Sequence, residues 1–570
     1  MTSTTTSATT FAHLSLDGFV KAHRVRIAAV DGGVILRSRR ADAVAVVAGG
    51  GSGHYPAFAG MVGTGMASAA VCGDIFASPS SGQVFRVAEA ADSGAGVLLV
   101  YGNYMGDVLH FSHAQEKLRA HGRDVRTQRV TDDVASAPSS ERSTRRGVAG
   151  DLFVIKIAGA SAERGDTLDQ VERFASRANA VINTFGVAFS GCTLPGAEKE
   201  LFHVPVGAMA LGLGVHGEPG IGQVAVPSPE ELANILLTRL LGEPAPLPGK
   251  KITVLLNGLG AMKYEELFAV YGFLADQLTS QGFEIVEPEV GELVTSLDMN
   301  GCSLSIAWLD DELEELWRAA CDSPGFKKVV TESRSPDAGP GEFSVTMAKS
   351  FVEPEGSEQC VGLLGEVFDE LATLMADSEE LLGELDSRTG DGDHGIGMTR
   401  GSRGAATAVA HAQPAGAIEL LSIAAEGWSE SGGGTSGAIW GILLGSLGSS
   451  LSASASLSAA DVATAFAYAA KNVQHIGGAK PGDKTLVDAL VPFSKVLRER
   501  VSAGDSLAQA WRVAALEADE QAQATADLLP RIGRAKIHGD KSLGTPDAGA
   551  VSLALALSLA GETITRRSAP

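Results

Sequence analysis

Aromatic residues make up 5% of this 570-residue chain, with five tryptophans and six tyrosines, so its cores have to be built from Ala, Val and Leu. Cysteine is as scarce. The five residues, Cys72, Cys192, Cys302, Cys321 and Cys360, form no CxxC and no paired spacing, which excludes a disulfide framework and a zinc site; they read as small buried hydrophobes. Positive charge is in deficit, 45 Lys+Arg against 68 Asp+Glu, and the net charge of −23 repels nucleic-acid phosphate and anionic membrane. A polyanionic ligand therefore needs local help from cations, backbone N–H groups or a metal. The longest strongly apolar run, around Ala550 to Ala560, is too short to span a bilayer, and Met1 to Thr10 has no basic residue ahead of an apolar stretch. A cytoplasmic protein is expected.

What is present is glycine, 69 residues, in a chain that is 45% hydrophobic and 20% charged, a composition suited to globular domains with many tight turns. The length is about four times the ~150-residue domain prior, so three or four compact units are expected. Residues 1–332 repeat a short β-branched run, a glycine-rich or polar loop and a stretch compatible with helix. The runs Ala43 to Val47, Val97 to Tyr101, Leu152 to Ile157, Lys251 to Leu256 and Ser303 to Trp308 read as buried strands delivering loops at their C-terminal ends. Two sheets are expected, in α/β subdomains of about 1–185 and 186–332. A Ser/Pro/Gly-rich stretch at 333–355 reads as a linker. Residues 356–570 carry helix-period segments, such as Ala417 to Glu430 and Leu507 to Leu528, and read as an all-helical domain.

Three glycine-rich turns punctuate the helical part. Asp386-Ser-Arg-Thr-Gly390-Asp391-Gly392-Asp393-His394 places three carboxylates where they can converge on hard divalent cations, and the lack of a Glu at the twelfth position excludes an EF-hand. The turn Gly432-Gly433-Gly434-Thr435-Ser436 offers N–H groups and hydroxyls to phosphate. Gly477 to Thr485 resembles a phosphate-binding GxxxxGK[ST] loop, but Asp483 separates glycine from lysine and no strand precedes it, so that reading is rejected. Together the turns suggest a Mg-nucleotide site at one end of a helix bundle. In the first half, Gly49-Gly50-Gly51-Ser52-Gly53-His54 reads as a loop that lets backbone approach a small polar ligand, with His54 at its rim. Asp107 follows another strand, and His216 stands in the Gly/Pro-rich turn Gly214 to Gly220, where histidine can serve as base or nucleophile or simply bond a carbonyl.

The ordered set GGGSGH, CGDIFASPS, NYxGD, KIAGA, GVHGEPG, LDxxxGDGDHG, GGTSGA, GGAKPGDKT and GRA resembles the single-chain, ATP-dependent dihydroxyacetone kinase family over essentially the whole chain after Phe11. The resemblance implies a ketose-binding α/β region of two subdomains, an all-α antiparallel helical barrel that binds ATP, and a homodimer in which one subunit's nucleotide domain faces the partner's ketose site. It implies His216 bonded through a ring nitrogen to the substrate carbonyl as a hemiaminal, which selects ketones over polyols such as glycerol. His54 and Asp107 would take the proton from the terminal hydroxyl, and Gly51, Ser52, Gly53, His54 and Asp107 would contact the substrate. Asp386, Asp391 and Asp393 would hold two Mg²⁺ ions. The nucleotide would be lined by His394, Gly395, Ile396, Gly397, Thr435, Ser436, Gly477, Leu486, Arg534, Asp547, Ala548 and Gly549. Departures from the family pattern are Gly102 in place of Lys, Met105 of Thr, Tyr55 of Glu, Gly397 of Asn and Ala548 of Pro. They imply retained phosphoryl transfer with an altered ketose preference, dihydroxyacetone or a tetrulose such as erythrulose; the alternative is a ketose-binding regulator that has lost catalysis.

Overall fold

The computed structural model describes residues 7–38, 40–329, 353–389, 392–451, 457–532 and 539–568. All but the last three residues of the expected linker lie outside these, as do Asp391 and Arg534. The chain divides into two compact units, Met1–Gly339 and Pro340–Pro570.

The first unit opens with helix α1 (Ala8–Ala22) and a six-stranded sheet: β1 (Ile27–Val30), β2 (Gly33–Leu36), β3 (Ala45–Ser52), β4 (Ala69–Ile75), β5 (Val97–Gly102) and β6 (Val125–Val130). Their order is β1-β2-β4-β3-β5-β6, with β3 to β6 mutually parallel and the β1/β2 hairpin antiparallel at one edge. The crossovers are α2 (Ser81–Ala91), which Ser80 and Gln83 start with a reciprocal capping box, and α3 (Met105–Ala120). Strand β3 runs through the first glycines of the Gly49–Gly53 segment, so that stretch is sheet as far as Ser52 rather than loop. Its glycines are packing requirements: a Cβ at Gly49 would meet Phe111 and Val71 at 2.9 Å, and one at Gly50 would meet Phe58 at 2.6 Å.

The run Leu152 to Ile157 is not a strand. It lies in helix α4 (Gly150–Arg164), which is buried from Gly150 to Ala162 and is followed by α5 (Leu168–Val181). A helix enclosed on every side needs no polar face, so its sequence loses the 3.6-residue signature and reads as a buried strand. Helix α4 packs against both β3 and β5 of the first sheet and against β7 (Ile182–Ala188) of the second.

The second sheet comprises β7 (Ile182–Ala188), β8 (Ala208–Leu211), β9 (Gly222–Ala225), β10 (Lys251–Gly258), β11 (Glu284–Ile285), β12 (Glu289–Gly291) and β13 (Gly301–Trp308). Its order is β11-β10-β13-β7-β8-β9, with β12 also on β10, and the central pairs are antiparallel. Strand β7 spans the expected 185/186 boundary. Helices α6 (Pro229–Leu241), α7 (Tyr264–Ser280) and α8 (Asp311–Arg318) complete the layer.

The second unit contains, among the described residues, α-helices only: α9 (Ser357–Asp377), α10 (Glu379–Thr389), α11 (His394–Ala412), α12 (Ala417–Gly432), α13 (Gly434–Leu451), α14 (Ala459–Gly477), α15 (Val487–Ser502), α16 (Leu507–Ala524) and α17 (Ala548–Ser568), with short 3₁₀ turns. From α11 onward each helix packs on the next, and α17 returns to α9, closing the ring of the expected barrel. Trp428 stacks on Trp440 with centroids 4.4 Å apart, and Phe466, Phe493 and Trp511 meet edge to face. Helix α17 is long and apolar enough to cross a bilayer by length and composition, but more than half of its apolar window is buried inside this unit.

Candidate active sites

In the α/β unit the ends of β3 and β5 and the turn after β8 bring together three residues singled out in the sequence. Beyond β3, His54 is 5% exposed, and its Nδ1–H donates to the Thr295 carbonyl at 2.7 Å. His216 Nδ1–H donates to Glu218 Oε1 at 2.9 Å, and the His216 backbone N–H donates to Glu218 Oε2 at 3.0 Å. Burial alone would raise the Glu218 carboxyl, but the hydrogen bond and charge of His216 outweigh it and bring it to about 2. With both Nδ1 atoms fixed as donors, the two Nε2 atoms face each other at 3.0 Å, a contact that requires one proton between them. Burial, then the neighbouring His216, lowers His54 to about 3.

Asp107, in the first turn of α3, is buried, and that burial pushes its carboxyl up to about 6 despite a hydrogen bond from Ser78 and the charge of His216. Three further groups, given no role in the sequence reading, shape this site. Phe76 stacks on His54 at 4.9 Å and stands edge-on to His216 at 5.1 Å, and Tyr104 meets His216 edge-on at 5.0 Å. Phe76 has φ +55°. Gly53, at φ +101°, leaves room for it, since a Cβ there would stand 2.9 Å from its ring. Glu218 is the third, and its place two residues beyond His216 was the available signal.

Gly51, Ser52 and Gly53 line a cavity of about 330 Å³ that also touches α1 and Thr295; His54, His216 and Asp107 are not among its walls. The Ser52 hydroxyl is already spent on the Gly73 carbonyl at 2.6 Å.

In the helical unit a cavity of about 350 Å³ is lined by Asp386, Asp393, His394, Ile396, Gly397, Thr435, Ser436, Gly477, Leu486, Asp547, Ala548 and Gly549. Of the remaining expected residues, Gly395 is absent from the lining and packs on Glu379 instead, where a Cβ would be 2.0 Å from the carbonyl oxygen. Arg400 and Trp440, which the sequence reading did not single out, also line the cavity. Gly433 (φ +60°) and Gly434 (φ +54°) turn the chain from α12 into α13 through backbone conformations that favour glycine.

His394 joins three helices rather than offering a free ring. The Ser552 hydroxyl donates to the Gly549 carbonyl at 3.0 Å, so it accepts from His394 Nε2–H at 3.0 Å, which leaves Nδ1 to accept from the Ser436 hydroxyl at 3.2 Å. Lys484 is likewise structural. Its Nζ donates to the carbonyls of Leu528, Ser542 and Thr545 at 3.2, 2.8 and 2.8 Å, in keeping with rejection of a phosphate-loop lysine.

Among the described residues no group of three metal ligands is preassembled. The donor chemistry nevertheless fits Mg²⁺. Asp386 Oδ2 accepts the Gly392 N–H at 2.8 Å, and Asp393 precedes α11 on the same wall. Burial, with the charges of Asp488 and Asp386, pushes Asp547 on the same wall up to about 7.

Residues 17–325 match the Dak1 domain and residues 388–562 the DAK2 domain. The chain is 49% identical over 557 residues to the L-erythrulose kinase of Pectobacterium atrosepticum, covering 96% of this chain and 94% of that protein. It is 46% identical over 558 residues to the D-erythrulose kinase of Mycolicibacterium smegmatis, covering 96% of each. The dihydroxyacetone kinase of C. freundii, solved in complex with AMP-PNP and Mg²⁺, superposes with a TM-score of 0.61 at 29% identity, over 98% of this chain and 99% of that one. A two-domain architecture of this kind, an α/β unit and a helical barrel in one polypeptide, defines a single-chain small-molecule kinase. The chain belongs to the dihydroxyacetone kinase family.

Proposed function

We propose that this ATP-dependent short-ketose kinase, with ATP and Mg²⁺ as its cofactors, phosphorylates a terminal hydroxyl of a tetrulose held as a hemiaminal on His216. The observation that carries the reading is the His54/His216 pair, whose Nδ1 atoms are tied to Thr295 and Glu218 and whose Nε2 atoms meet at 3.0 Å. As the Nε2 lone pair of His216 adds to the ketose carbonyl, the C=O π bond breaks. The proton shared by the pair passes through His54 to the carbonyl oxygen, which leaves a neutral carbinol and a positively charged ring against ionised Glu218. His54 is then neutral, with Nε2 open, and with Asp107 it can accept the proton of the attacking hydroxyl. Asp386, Asp391 and Asp393 would hold Mg²⁺, which would supply charge neutralisation for the ATP phosphates. The side chains of the cavity wall orient the nucleotide. Similarity to two erythrulose kinases, together with Gly102 in place of the family's lysine, supports a tetrulose over dihydroxyacetone.

Incubation with ATP, Mg²⁺ and a panel of dihydroxyacetone, D-erythrulose and L-erythrulose should release ADP fastest with one erythrulose enantiomer; no turnover on any three- or four-carbon ketose would overturn the reading. Native mass spectrometry with ketose present, giving an adduct mass in the parent protein and none in His216→Ala, tests the hemiaminal separately. The reading extends to a homodimer in the cytoplasm. Edge strand β9 supports the dimer: it is exposed along its length, Ile221, Val224 and Val226 face solvent, and Pro219 to Pro227 contains no charge in a chain of net charge −23. Light scattering should give twice the chain mass, reduced in Val224→Lys.

A further inference from the structure

Two buried polar atoms beside the histidine pair have no role in that chemistry. Tyr104 Oη and Asp151 Oδ1 are enclosed and have no hydrogen-bond partner among the described residues, and Asp107 Oδ1 shares that condition. They belong to one neighbourhood: the Tyr104 ring lies on His216, and Asp107 is near enough to Asp151, and Asp151 to Tyr104, for each to oppose the other's ionisation. Asp151 is 4% exposed, in the first turn of the buried helix α4, and its own turn is capped by Asp132, whose carboxylate accepts the N–H groups of Val148 and Gly150 at 2.8 Å. Unpaired groups of this kind are rare in native interiors and call for a ligand or water.

Resting on the ketose-kinase reading above, we propose that Tyr104 Oη and Asp151 Oδ1 form a hydroxyl-binding subsite that receives the arm of the ketose not being phosphorylated, and that this subsite sets the preference for four carbons over three. Burial, followed by the surrounding carboxylates, holds both groups in their protonated forms, Asp151 well above the usual carboxylate range and Tyr104 well above 10. Each can then both donate and accept, which matches a sugar hydroxyl and not a carboxylate or ammonium group. Gly102 is part of the device. A Cβ there would lie 3.2 and 3.3 Å from the Tyr104 ring, so a long side chain at that position would compete with the ring for its place.

The test is initial-rate kinetics of Tyr104→Phe and Asp151→Asn with dihydroxyacetone and both erythruloses at saturating ATP, alongside thermal unfolding. For Tyr104→Phe, KM for the preferred tetrulose should rise, and the tetrulose-to-triose ratio of kcat/KM should fall about tenfold. Its Tm should stay unchanged or rise, because an unpaired buried hydroxyl has been removed. An equal change for triose and tetrulose, or no change in either, overturns the subsite. If Tyr104→Phe does not fold, the ratio for Asp151→Asn decides. If the parent protein turns over no ketose, the kinase substrate reading fails, and the yield of His216 adduct in native mass spectra across the same panel still reports whether the two variants lose tetrulose selectivity.

Discussion

In the α/β unit the reactive rings have their partners before any substrate arrives: Thr295 fixes one histidine, Glu218 the other, and Phe76 and Tyr104 close around them. In the helical unit the corresponding wall holds Asp386, Asp393 and Asp547 around a cavity of about 350 Å³, with Asp547 pushed up to about 7 by burial and by its neighbours' charges. The two rings of the first site are held by protein partners, whereas the carboxylates on the wall of the second suit a cation. The proposed covalent chemistry demands fixed lone pairs, while binding a highly charged nucleotide through a metal requires carboxylates whose charges the protein itself does not cancel.

Substitutions that strike one unit alone can break this contrast. His216→Ala should lower ketose phosphorylation by at least about 10³-fold, the scale lost when a tethered, oriented reactant becomes a diffusing one, and leave nucleotide binding intact by calorimetry. Asp386→Asn should cost about 10² to 10³-fold in ADP release while the ketose adduct persists in native mass spectra; an equal loss of adduct would show that the sites are not separable. Asp107 sharpens the comparison through pH. Its carboxyl is raised to about 6, so it is protonated below that value and ionised above it, and kcat/KM for ketose should climb about tenfold per pH unit up to about 6 and then flatten. In Asp107→Asn that limb should vanish. The smallest effect is expected from Lys484→Met, which strips three carbonyls of their common donor. It should destabilise the helical unit by about 1–3 kcal/mol and leave the unfolding of the α/β unit unmoved in calorimetry.

Much of this was legible in the sequence because glycine and histidine sit in fixed local contexts. The strands at Val97–Gly102 and Gly301–Trp308 follow from their apolar runs, and the helices of the second unit follow from their periodicity. Helix α4 was read as strand because an element buried on all faces carries no periodic polar positions. The glycine series was read as a ligand cradle, yet Gly49 and Gly50 are dictated by Phe111, Val71 and Phe58, contacts that no local pattern announces. Phe76, Tyr104 and Thr295 reach the histidines from 22 to 241 residues away in the chain, so only the tertiary structure could assign them.

The 3.0 Å closure of His54 on His216 bears on fuel loss as well as on sugar chemistry. A base left idle in a kinase invites water to act as the acceptor. Here the basic nitrogen of His54 is engaged by its neighbour for as long as the pocket is empty, and only a carbonyl compound that captures His216 sets it free. On the proposed chemistry, ATP held without ketose should therefore be spared, and the identity of the acceptor is checked before the phosphate can move.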